Sequence, residues 1–160
     1  MKFDHCKHLR GFFLLVSTLS GVLVSCGGNT EQLRVKQFSM RDVDLADRDA
    51  QMVRGEQVYR MRGAVSLEER RSRTGHYYTV YWNTPEVVQG GQIVFEYQQA
   101  ITASDVLTKT FKIPTGHSSG SAEFNIIGKE YQQGGNVLAW RARLVKGGKT
   151  LAVKRSYLWR

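Results

Sequence analysis

An all-β chain, folded as an antiparallel β-sandwich of seven or eight short strands, is what this sequence predicts, and three observations predict it. Segments rich in Val, Ile, Tyr, Phe, Trp and Thr recur through 57–159, each about the length of one strand. The steps Thr74-Gly75, Gly90-Gly91, Gly134-Gly135 and Gly147-Gly148 interrupt them where tight turns need positive φ. Helical periodicity of the kind that carries a crossover between parallel strands is absent, which disfavours a doubly wound α/β fold.

The elements follow in order. From Leu33 the chain reads as extended, with Leu33 and Val35, then Phe38 and Met40, separated by polar residues and out of phase, as in a bulged first strand. The charge-dense stretch 41–54 fits either a short helix or a long loop. Strands are then expected at 57–67, 76–82, 92–99, 106–113, 121–127, 137–145 and 150–159. Within 76–82, a period of two sends Tyr78, Val80 and Trp82 to one face and Tyr77, Thr79 and Tyr81 to the other. The layout resembles an immunoglobulin or fibronectin type III domain, with Trp82 as the core tryptophan of a central strand. The likeness is of fold alone, because the disulfide and the Cys-Trp-Cys spacing of true immunoglobulin domains are missing.

The last hairpin carries a register argument. With Gly147-Gly148 as a two-residue turn, Lys146 faces Lys149, Leu144 faces Leu151 and Ala142 faces Val153 on a core face. The other face then sets Arg141 opposite Lys154, a like-charge pair that destabilises a sheet unless an anion or carboxylate lies beside it. A cationic strip of Arg141, Arg143, Lys146, Lys149 and Lys154 results, fitted to an anionic glycan, headgroup or protein partner. The same count puts Arg155 beside Trp140 on the inner face, which demands either ring stacking or a bulge that resets the register.

At the amino terminus, Leu23-Val24-Ser25-Cys26 closes an uncharged stretch, 11–24, behind a leader containing Lys2, Lys7, Arg10 and Asp4. A basic leader, an apolar core and a small residue before the cut make a cleavable helical signal peptide. The stretch contains Ser17, Thr18, Ser20 and Gly21 and falls short of the roughly 20 apolar residues that a membrane span needs. In this context the segment resembles the lipobox of bacterial lipoproteins. The resemblance implies that Cys26 is lipidated and becomes the mature amino terminus. It divides the chain into a signal peptide, 1–25, a lipidated cysteine and flexible tether, 26–32, and one β-sandwich domain, 33–160. Gly27 is not the aspartate that retains such proteins at the inner membrane, so the outer membrane facing the periplasm is implied if the source is Gram-negative.

Composition narrows the partners. The net charge is +9 over 160 residues, yet an exported chain meets no genomic nucleic acid, so anionic lipid, acidic glycan or an acidic protein face is the fitting counterpart. Cys6 and Cys26 are the only cysteines, so the folded part has neither disulfide nor thiol ligand and holds by packing alone. His76 and His117 then leave too few ligands for zinc. Asp42, Asp44, Asp47 and Asp49 crowd together, but Arg48 lies among them and the turn glycine of a calcium loop is missing. No metal or cofactor is expected. Gly116-His117-Ser118-Ser119-Gly120 matches G-x-S-x-G, although no histidine follows Ser118 to complete a hydrolase triad. A non-catalytic binding or assembly module, or a structural subunit of an envelope complex, is the expectation; a small serine hydrolase is the disfavoured alternative. Tyr77 and Tyr81 are candidate recognition aromatics, and Arg70-Arg71-Ser72-Arg73 reads as a basic hairpin tip.

Overall fold

The structure is a computed structural model that describes residues 31–41, 50–102 and 104–160. The signal peptide, Cys26 and the 42–49 aspartates lie outside the described residues. Among the described residues, seven strands form two antiparallel sheets facing each other. The first contains β1 (Leu33–Met40), β2 (Gly75–Asn83) and β5 (Ser119–Ile127) in the order β1-β2-β5. The second runs β4-β3-β6-β7, from β3 (Gly91–Gln99), β4 (Leu107–Ile113), β6 (Val137–Lys146) and β7 (Lys149–Arg155). In the constant immunoglobulin arrangement the fourth strand borders the first sheet; here β4 extends the second, giving three strands against four. Among the described residues no helix is long and apolar enough to cross a membrane.

Alternation builds the core. Tyr78, Val80 and Trp82 of β2 turn inward to meet Ile93, Phe95 and Tyr97 of β3, with Phe124 and Ile126 of β5 and Ala142 and Leu144 of β6 completing the layer. Phe95 stands at its centre, 5.0 Å from the Phe124 ring and 4.8 Å from the Tyr78 ring. Fully buried side chains such as Phe95, Ile93, Ile126 and Leu144 each contribute roughly 1.5–3 kcal/mol by leaving water. Burial pushes the Tyr78 hydroxyl well above its ordinary pKa, and its oxygen has no hydrogen-bond partner among the described residues.

Three expectations give way to helix. The strand expected at 57–67 is replaced by α1 (Gln51–Met61) and the start of α2 (Leu67–Ser72), so the basic run at 70–73 closes α2 instead of tipping a hairpin. Ser66 caps α2 by accepting from Glu69 N at 3.1 Å while the Glu69 carboxylate returns to Ser66 N at 2.9 Å, a reciprocal capping box. Gly134-Gly135 ends α3 (Lys129–Gly134) and is not a strand-to-strand turn. The open question at 41–54 closes in part, since 51–54 belong to α1.

Two registers are also corrected. β1 pairs with β2 from Leu33↔Trp82 to Met40↔Gly75 without a bulge. Its phase change arises because each face is covered by something different: Leu33 and Val35 meet the opposite sheet, while Phe38 turns outward beneath α1. In the last hairpin Lys146 does face Lys149, but a shift between Leu144 and Val145 sets Arg141 opposite Arg155 and Ala142 opposite Lys154. The bulge removes Arg155 from the core face, and β7 stops at Arg155 rather than 159.

His76 joins β1, β2 and the start of β6. Its Nδ1 lies 2.8 Å from Ser39 Oγ and its Nε2 3.3 Å from Asn136 Oδ1, at 5% exposure. Burial depresses its pKa below 6.5, the Asn136 contact opposes this, and the Arg41 charge adds to it. The fold therefore holds the neutral ring. Its contribution is complete above the unfolded pKa of about 6.5 and is lost as pH falls through that value, because only the unfolded chain then gains the proton readily. The melting temperature should drop between about pH 7 and about pH 5, and His76→Gln should flatten that drop. An equal drop in the variant would assign the sensitivity elsewhere.

Candidate functional site

A cleft of about 450 Å³ opens between α1 and the outer face of the β1-β2-β5 sheet. Its floor is set by strand alternation: Lys36 and Phe38 from β1, Tyr77, Thr79 and Tyr81 from β2, and Ser121 and Glu123 from β5. Met52, Val53, Glu56 and Tyr59 of α1 form the wall. Arg60 fixes that wall to the floor. Its guanidinium makes a two-pronged bond to Glu123 at 3.1 and 3.2 Å, donates to Glu56 at 2.7 Å and stands 4.5 Å above the Tyr77 ring. Its charge is raised in stability by the two carboxylates even though burial opposes it.

The two candidate tyrosines separate here. Tyr77 is 4% exposed beneath Arg60 and donates its hydroxyl to Arg73 O at 2.5 Å, so it is a structural residue and no stacking platform. Tyr81 is half-buried at the mouth, with the Arg34 guanidinium 4.7 Å and the Lys36 ammonium 5.5 Å from its ring centroid. These cations, both exposed, hold an aromatic ring and make no ion pair among the described residues. Sequence reading missed them, although Arg34 and Lys36 alternate with Leu33 and Val35 as an outward face requires.

The predicted cationic strip does not hold together. Arg141 and Arg143 lie on the outer face of the four-stranded sheet and close on Glu96, which is 8% exposed: Arg141 Nε at 2.7 Å, Arg143 Nε at 3.0 Å and Arg143 Nη2 at 3.2 Å. Burial pushes the Glu96 carboxyl up, but the two guanidiniums outweigh it and hold it below 4.5. Trp159 folds back until Arg141 stands 4.9 Å over its ring. Lys154 points to the opposite face and pairs with Glu31. Lys146 donates to Glu86 O, and Lys149 is exposed at the start of β7, beside the Gly147-Gly148 turn.

The G-x-S-x-G residues cross between the sheets at 114–120. Ser118 O accepts from Thr84 N at 2.8 Å, Gly116 N donates to Val88 O at 2.7 Å, and His117 Nδ1 faces Thr115 O at 3.2 Å. Gly120 pairs with Trp82, whose indole would meet a β-carbon there at 2.5 Å. Packing against Trp82 thus calls for glycine at 120, and a φ of 89° calls for it at 116. Comparison of the chain with protein-family models, with curated proteins and with solved structures found no match.

Proposed function

We propose that this chain is a lipid-anchored protein of the bacterial cell envelope, a non-catalytic assembly module that receives an acidic protein segment in the cleft beneath α1. The observation that carries the site is the pair of cations, Arg34 and Lys36, that stand on Tyr81 at the mouth of the cleft and make no ion pair among the described residues. An acidic side chain arriving there keeps both charges and displaces only ring contacts, each worth roughly 0.5–1 kcal/mol at an exposed site. The apolar part of the lining favours protein over glycan. Met52 is 88% exposed and Tyr59 57%, which suits an apolar partner side chain, whereas sugar stacking wants a bare ring face and Tyr81 offers one occupied by cations. The anchor is supported by the Leu23-Val24-Ser25-Cys26 segment, and by resemblance Gly27 favours the outer membrane facing the periplasm in a Gram-negative source.

Both parts are testable in cells. Cys26→Ala is expected to abolish lipid labelling and release the protein from the membrane fraction. A photo-cross-linker at Tyr59 is expected to give one discrete protein adduct, lost in Arg34→Glu with Lys36→Glu. An adduct unaffected by that reversal would move the partner away from the cleft.

A further inference from the structure

The end of the sandwich where β1 begins gathers charge from four separate segments. There the β1 start, the 84–90 connection, the 114–118 connection and the Gly147-Gly148 turn are bonded into one surface. Asn83 N donates to Gln32 O at 3.0 Å, Thr84 N to Ser118 O at 2.8 Å, Gly116 N to Val88 O at 2.7 Å, and Lys146 to Glu86 O. Lys112 borders Gly147 in the same shallow depression. The surface presents Arg34, Lys112, Lys146 and Lys149, with the Lys36 ammonium leaning toward it over Tyr81. Among the described residues Glu86 and Glu31 stand against them, and Glu31 is held by Lys154.

We infer that this end is a docking face for the anionic headgroups of the membrane that holds the lipid. The inference rests on the lipid-anchor reading above. Gln32 already belongs to the β1 ladder and Glu31 to an ion pair, so from Cys26 to Glu31 the chain reaches at most roughly 18 Å. That tether keeps the β1 start within roughly 18 Å of the bilayer. The basic residues of α2 lie past the far end of an eight-residue strand, roughly 26 Å away, and thus well beyond the screening length of about 8 Å. A cationic end with no large exposed aromatic among the described residues fits headgroup charge, not insertion into the acyl layer. Each cation near an anionic bilayer favours the docked state roughly fivefold, so removing three should lower the docked fraction relative to the undocked by about 10²-fold.

The mature lipidated protein has no free thiol, since Cys6 leaves with the leader and Cys26 carries the lipid. A fluorescent donor on Ser118→Cys therefore reports on the docking end alone, and one on Ser104→Cys on the opposite end. Each is reconstituted into vesicles of phosphatidylcholine, or of phosphatidylcholine with about 30% phosphatidylglycerol, bearing a headgroup acceptor. Energy transfer from Ser118→Cys is expected to rise on the anionic vesicles while Ser104→Cys stays low. The rise should vanish at about 0.5 M NaCl, and in Lys112→Gln with Lys146→Gln and Lys149→Gln at an unchanged melting temperature. Equal transfer on both vesicles, with Cys26 lipidated by mass, overturns the docking face and leaves the anchor standing. An unmodified Cys26 overturns the anchor and the docking together.

Discussion

Gly120→Ala is expected to destabilise the domain by about 3 kcal/mol, the upper part of the usual range for forcing a methyl into a packed core. The β-carbon would meet Trp82 Cζ2 at 2.5 Å and Cη2 at 2.7 Å. The indole cannot give way, because it is 5% exposed and its far side meets Phe111, ring centroids 5.9 Å apart. Backbone relief is equally closed, since Gly120 lies inside the β2-β5 ladder directly opposite Trp82. Ser118→Ala, by contrast, removes an exposed hydroxyl and should stay within about 0.5 kcal/mol. Trp82→Phe alone costs stability by leaving a void, but combined with Gly120→Ala it should recover part of the loss, because the smaller ring vacates the volume that the methyl needs. Urea melts of the four proteins give the coupling directly. Additive losses would mean that the two residues do not compete for space.

That pair also shows what the sequence could and could not convey. Alternation in 76–82 was enough to send Tyr78, Val80 and Trp82 inward, and six of the seven expected strands past residue 56 appear within a few residues of their places. The seventh, 57–67, failed because Val58, Tyr59 and Val65 imitate a strand composition in what is helix and loop. Competing signals were present: Glu56 and Arg60 at i,i+4 spacing, now 2.7 Å apart, and Ser66 with Glu69 as a capping box. The cleft depends on α1, so losing the helix in the reading lost the site. The bulge in the last hairpin left no comparable trace. Nothing in Leu144 to Ala152 marks which residue the ladder skips, and one skipped residue exchanges the faces of Lys154 and Arg155. Glu96 was the overlooked partner: a lone carboxylate in the apolar run Ile93-Val94-Phe95-Glu96-Tyr97 needs a cation once buried.

Glu96→Gln is accordingly expected to lower stability by about 2–3 kcal/mol at neutral pH. Removing one partner of a fully buried pair costs roughly 3–5 kcal/mol, but Arg141 and Arg143 keep 33% and 30% of their side-chain surface in water, which returns part of their hydration. The loss has a defined pH window. The folded carboxyl titrates below its ordinary value of 4.5, so its contribution is complete above that value and fades as pH falls through the folded pKa. Wild type and variant should therefore differ most at neutral pH and converge in acid. Arg141→Gln with Arg143→Gln should lose stability as well, because it leaves the Glu96 carboxylate buried without either cation. Neither Glu96→Gln nor the change at Arg141 and Arg143 touches the end of the sandwich where β1 begins, so vesicle docking should persist in both variants. Chemical denaturation across pH, beside the energy-transfer measurement, separates the two roles. If the Arg141 and Arg143 double variant kept full stability but no longer responded to anionic vesicles, these residues would be a recognition surface after all, and Glu96 would be a bystander to their charge.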